Sequence, residues 1–204
     1  MQLVLPIVVG GLLLSAAVAL LDPEFARDVA AKEGTLEHVS HFILAAAVVA
    51  WWGAVLAPRT TQRWLTAAIA VMCMVILAEE LDWGQVYGVG DIGAWVEDGD
   101  GHANLHNAWG GASYLLFALA PIILIGVVGW RRGDQPGRLP RRTDAVGLIV
   151  LAVASVGGTL LLPAAEGGID ETGEALLYAG LAWIAIRPRA PERPPSSSQG
   201  AGCG

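Results

Sequence analysis

Apolar stretches long enough, or nearly long enough, to cross a bilayer recur along this 204-residue chain, and the polar segments between them alternate between acidic and basic. The basic segments hold Arg59 and Arg63, then Arg131, Arg132, Arg138, Arg141 and Arg142, then Arg187, Arg189 and Arg193, which is ten of the twelve Lys and Arg residues. Sixteen of the nineteen carboxylates and all four histidines fall instead around residues 22–41, 79–107 and 166–174. No water-soluble fold produces that alternation as a matter of course. A chain threaded repeatedly through a membrane does, because cytoplasmic loops retain Lys and Arg.

With 54% hydrophobic residues, 15% charged residues and a mean hydropathy of +0.55, the composition points the same way. A spanning helix needs about 20 mostly apolar residues. Six candidates are predicted, at 3–21, 36–57, 63–83, 105–130, 144–163 and 172–187, giving an all-α membrane helix bundle over 1–187. The polar ends of the second, third and sixth must reach the interface or line a cavity within the protein.

All three basic segments lie an even number of crossings apart, so both termini are predicted inside, in the cytoplasmic membrane. The inner side then carries ten cations and three acids (Asp134, Asp144, Glu192), net +7; the outer side carries sixteen acids and two cations (Arg27, Lys32), net −14. An acidic outer face attracts cations and repels anionic polymers, which excludes a nucleic-acid partner and leaves membrane lipids as the partners composition implies. Ala17-Val18-Ala19 resembles a cleavage site, but Met1-Gln2 supplies no basic segment ahead of the apolar run, so the first helix is expected to be retained. The two cysteines, Cys73 in an apolar helix and Cys203 in the tail, cannot form a disulfide framework. Residues 188–204 are rich in Pro, Ser and Gly and are expected to be a disordered cytoplasmic tail.

Along the chain, Asp22-Pro23 ends the first apolar run, and Thr35 is a plausible N-cap for the second helix. Trp51-Trp52 are expected near its inner end at the headgroup layer, and Pro58-Arg59 closes it. The third helix runs into Glu79-Glu80-Leu81-Asp82-Trp83-Gly84-Gln85. A glycine- and acid-rich loop follows, and the fourth helix opens near Asn104-Leu105-His106-Asn107. Thr35-Leu36-Glu37 and Thr172-Gly173-Glu174 form a short echo, each opening an outside-to-inside helix.

These ends carry the candidate chemistry. Glu33, Glu37 and His41 are spaced i, i+4, i+8 on one helix face, while His38 points about 100° from Glu37. Glu79 aligns with Asp82 and Trp83, His102 and His106 lie one turn apart, and Asp170 or Glu171 pairs with Glu174. Ionisable groups near a membrane boundary are costly unless paired, hydrated or bound to a cation, so their gathering is a site hypothesis. Mixed imidazole and carboxylate ligands suit Zn, Fe or Mn, with Glu37, His41, Glu79, His102, His106 and Glu174 as ligand candidates. Glu80 or Asp82 would serve as base, and Gln85, Asn104 and Asn107 would orient a substrate. The reaction class is metal-assisted hydrolysis or transfer on a lipid-like substrate.

Other readings stay open at this level. The same side chains can form buried ion pairs and hydrogen bonds that lock helices together, giving a structural or assembly subunit. A cation-binding protein or transporter is a third, although the helices are apolar below the acids, with only Ser113, Ser155 and Thr159 as small polar residues. Asp22, Glu24, Asp98 and Asp100 read as solvated surface, Trp83 and Trp109 as interfacial anchors, and His38 as a core or interfacial histidine.

The segment Glu79-Glu80-Leu81-Asp82-Trp83-Gly84-Gln85, followed by Asn104-Leu105-His106-Asn107, resembles a family of uncharacterised bacterial multi-pass membrane proteins. Its pattern is E-E-x-S-W-G-Q, a polar loop, then N-L-H-N, with acids opening a second and a last helix. The resemblance spans most of helices two to six and implies a common site without implying an activity. Asp82 replaces the usual serine, and His102 stands where a carboxylate is expected. Both replacements keep metal-ligand capacity.

Overall fold

The computed structural model describes residues 10–11, 13–14, 17–18, 20–29, 34–57, 63–84, 86, 123–131, 139–161 and 166–187. Among these the chain is all-helical, with no strand. Helical residues in 10–21 are followed by α1 (Pro23–Val29), α2 (Thr35–Leu56), α3 (Arg63–Glu80), a 3₁₀ turn (Asp82–Gly84), α4 (123–131), α5 (Arg142–Leu161) and α6 (Glu166–Ile186). One helix among the described residues, α2, is long and apolar enough to cross a membrane. The predicted first and fourth spans lie partly outside the described residues, and the tail from 188 lies wholly outside them.

Several boundaries differ from the sequence expectation for local reasons. Residues 23–29 form a short helix where a polar stretch was expected. Asp22 Oδ1 accepts a hydrogen bond from the Phe25 N–H at 3.1 Å, and Pro23 occupies the first helical position, where its missing N–H costs nothing. The N-cap of α2 is Gly34, with φ −76° and ψ 174°, rather than Thr35, which is the first helical residue. At its other end Ala57 turns extended, with φ −63° and ψ 136°, as a residue before proline must. The α6 helix starts at Glu166, so Asp170, Glu171 and Thr172 belong to it.

The most extensive helix packing is α2 against α6, followed by α2 against α3 and α5 against α6. The core joins Leu44, Ala47 and Trp51 of α2 to Ile69, Ala70 and Cys73 of α3 and to Leu181, Ile184 and Ala185 of α6. Ile125 and Val128 of α4 and Ala145 and Leu148 of α5 complete it. Trp51 is fully buried in this core. Cys73 is a small core residue, as its apolar surroundings imply.

The α5–α6 hairpin closes through small residues. A Cβ on Gly173 would stand 2.7 Å from Ser155 Cβ, and one on Gly180 would stand 2.8 Å from Leu148 Cδ2. At its basic end the guanidinium of Arg187 bonds the Asp144 carboxylate, and its Nη2 donates to the Leu139 carbonyl at 2.7 Å. Asp144 also accepts from the Arg141 N–H at 2.7 Å, satisfying a donor at the α5 N-terminus. Arg142 lies over the Trp130 ring, 3.9 Å from its centroid.

Beyond Thr35 in its first turn, the outward stripe of α2 is Val39, Phe42, Ala46, Val49, Gly53 and Leu56, all exposed and none polar. Its inward face carries Glu37, Ser40 and His41. This reverses the pattern of a helix lying at a water-facing surface, where the outward stripe is polar.

Candidate functional site

Three helices build a polar cluster around His41. The i, i+4 spacing of Glu37 and His41 puts both on the buried face of α2, where Glu37 Oε1 lies 3.7 Å from His41 Nε2. Ser40 turns its hydroxyl back to the Glu37 carbonyl at 2.7 Å, so it caps locally and adds no free acid or base. From the end of α3, Glu80 brings Oε2 to within 3.9 Å of His41 Nε2. From α6, the Tyr178 hydroxyl donates to Glu80 Oε1 at 2.7 Å. One glutamate therefore touches both neighbouring helices.

The end of α3 is shaped by an unusual turn. Asp82 and Trp83 both take positive φ, 44° and 54°, in the left-handed region that disfavours any residue with a Cβ. Such strain persists only where surrounding contacts enforce it. Here Trp83 Nε1 donates to Glu79 Oε1 at 2.8 Å, closing the turn on the helix it terminates. The consequence is that Asp82 folds back into the protein, only 5% exposed, and lies within electrostatic reach of His41.

The described candidates are thus gathered but not equivalent. Glu37, His41, Glu79 and Asp82 are buried, and Glu80 and Glu174 are partly buried. Glu79 is engaged by Trp83, whereas Glu80 faces the imidazole. Glu174 and Glu171 lie within electrostatic reach of the Tyr178 hydroxyl. His102, His106, Gln85, Asn104 and Asn107 lie outside the described residues, as do Asp98, Asp100 and Trp109. Asp22 and Glu24 are exposed, as solvated acids should be.

One participant escaped sequence reasoning. Tyr178 is 3% exposed and was not singled out, although it stands one turn below Glu174 on the same face. The ring of His38, read from the sequence as a core or interfacial histidine, meets that of His41 edge-on, with centroids 6.1 Å apart, and borders the cluster.

Ligand spacing tests whether these residues fit a divalent metal. Nitrogen and oxygen ligands about 2.1 Å from a tetrahedral ion sit about 3.4 Å from one another. The separations of 3.7 and 3.9 Å around His41 Nε2 are somewhat wider. Among the described residues, no group of three or more His, Cys, Asp or Glu side chains could hold an ion by itself.

Comparison with known proteins finds no matching family model and no similar curated protein or solved structure.

Proposed function

We propose that this chain is a multi-pass protein of the cytoplasmic membrane, with six crossings and both termini inside, and that it acts as an enzyme on a membrane-associated, lipid-like substrate at its outer face. The membrane reading rests on the apolar outward stripe of α2 together with the alternating charges of the segments between helices. Single cysteines test the orientation in a chain whose native cysteines are replaced by serine. Thr60→Cys reacts with an impermeant maleimide only from the cytoplasmic side, and Asp98→Cys only from outside; reversed labelling defeats this topology.

The enzyme reading is carried by one observation: an imidazole lies between two carboxylates from two helices, His41 between Glu37 and Glu80. Glu79, Glu174, His102 and His106 are the further ligand candidates. A divalent metal, Zn, Fe or Mn, would polarise a substrate oxygen there. Glu80 or Asp82 would hold the proton, and Gln85, Asn104 and Asn107 would orient the substrate. The shared E-E-x-x-W-G-Q and N-L-H-N segments support treating the two stretches as one site. Elemental analysis of the purified full chain tests it. Metal present in the wild type and lost in His41→Ala and His106→Ala supports the reading; a metal-free wild type sinks it.

A structural or assembly role is the second reading, favoured by the protein donors on Glu79 and Glu80. Under it, Glu80→Ala unfolds the bundle or releases a partner subunit and alters no reaction. A cation pathway gains no support, because Leu44, Ala47, Ile69, Ala70, Cys73 and Leu181 pack into an apolar layer beside the cluster.

A further inference from the structure

Glu79 and Glu80 are adjacent on α3, and neighbouring residues on a helix point about 100° apart. Glu79 turns to Trp83 of its own chain segment, whereas Glu80 spans the gap between α6 and α2. Its two oxygens have different tasks: Oε1 accepts the Tyr178 hydrogen bond at 2.7 Å, and Oε2 faces His41 Nε2 at 3.9 Å. Tyr178 is 3% exposed, and its ring is part of the packed core, so its hydroxyl cannot swing away without repacking.

We propose that Tyr178 is the positioning residue of this site: its hydroxyl fixes the Glu80 carboxylate so that Oε2 is presented to His41, which links α6, α3 and α2 into one relay. The 3.9 Å between Glu80 Oε2 and His41 Nε2 is too long for a direct hydrogen bond. It matches a gap in which a single oxygen atom, about 2.8 Å from each, bonds to both. The relay is therefore set to grip a hydroxyl of the substrate, which would donate to Glu80 Oε2 and accept from the His41 Nε2–H. This deepens the enzyme reading above, on which the assignment of a substrate oxygen rests; the Tyr178–Glu80–His41 linkage stands apart from any metal.

The test uses the full chain in detergent, labelled with ¹⁵N-histidine, with the His41 side-chain resonances assigned by their loss in His41→Gln. Tyr178→Phe keeps the ring and deletes only the hydroxyl. It shifts the His41 resonances at fixed pH in the wild-type background and adds no further shift in the Glu80→Gln background. Unmoved resonances, or equal shifts in both backgrounds, overturn the proposal. Should Tyr178→Phe not fold, Glu80→Gln alone decides: shifted His41 resonances support the relay and unshifted ones overturn it. A wild type without metal defeats the metal-enzyme reading and leaves this result intact, so the two failures are distinguishable.

Discussion

Arg187 and Asp144 join the first residue after α6 to the first turn of α5, and Arg187 stands nine residues, roughly 14 Å of helix, beyond Tyr178. The guanidinium serves two acceptors, the Asp144 carboxylate and the Leu139 carbonyl, with its side chain 9% exposed. Arg187→Ala removes both bonds and is expected to destabilise the full chain by about 1.5–3 kcal/mol. Arg187→Lys restores only part of this, because one ammonium does not reproduce the fork of a guanidinium. Thermal unfolding in detergent measures both; equal stability of all three chains refutes the pair's contribution.

Gly173 and Ser155 set the closeness of α5 and α6. A Cβ at 173 would fall 2.7 Å from Ser155 Cβ, inside any real carbon contact, so the hairpin must open to admit it. Gly173→Ala is expected to cost about 1–3 kcal/mol. Adding Ser155→Gly makes room and recovers most of that loss. Gly53→Ala is the matched control: nothing lies within 4 Å of the added carbon, so it is expected to be neutral or stabilising by up to about 1 kcal/mol. Chemical or thermal unfolding of the four chains decides, and a neutral Gly173→Ala refutes the close packing.

Trp83 holds a left-handed turn that its own side chain disfavours. Its indole bond to Glu79, which is 4% exposed, offsets part of that strain. Trp83→Phe retains an aromatic ring and deletes the donor. It is expected to destabilise by about 1–3 kcal/mol, because a buried acceptor loses a bond without gaining water. An unchanged unfolding midpoint would show that the turn is fixed by its other contacts.

Much of this architecture was legible in the sequence, for a physical reason. Helix positions follow from apolar run length and from breakers such as Pro58, so the predicted limits 36–57 and 144–163 fall within two residues of α2 and α5. The convergence of Glu37 and His41 followed from i, i+4 spacing alone. What spacing cannot encode is a partner 98 residues away: the bond from Tyr178 to Glu80 depends on how α6 lies against α3. Nor does it encode the reversal at Asp82-Trp83, where a bulky aromatic residue adopts a conformation that local preference opposes. The Asp22-Pro23 pair did carry a helix-start signal, since a capping acid followed by proline is a common opening. The burial of Trp51 was not legible, because an indole suits both a headgroup layer and a packed core, and only the neighbouring helices enclose it.

Val49 sits on the outward stripe of α2, 72% exposed, and separates two accounts of that stripe. In water, an exposed valine on a stable helix tolerates a charge, and Val49→Asp should change stability by no more than about 0.5 kcal/mol. In a bilayer the same carboxylate enters hydrocarbon near the middle of a spanning helix. Insertion scales place Asp there at about 2.5–3.5 kcal/mol unfavourable, against a small favourable value for Val. Val49→Asp is therefore expected to reduce the membrane-integrated fraction of the chain many-fold, while Val49→Leu leaves it unchanged. Carbonate extraction of membranes from cells expressing each chain reads the result. Full integration of the aspartate variant, or recovery of the wild type in the soluble fraction, overturns the membrane reading and with it the assignment of the His41 cluster to an outer face.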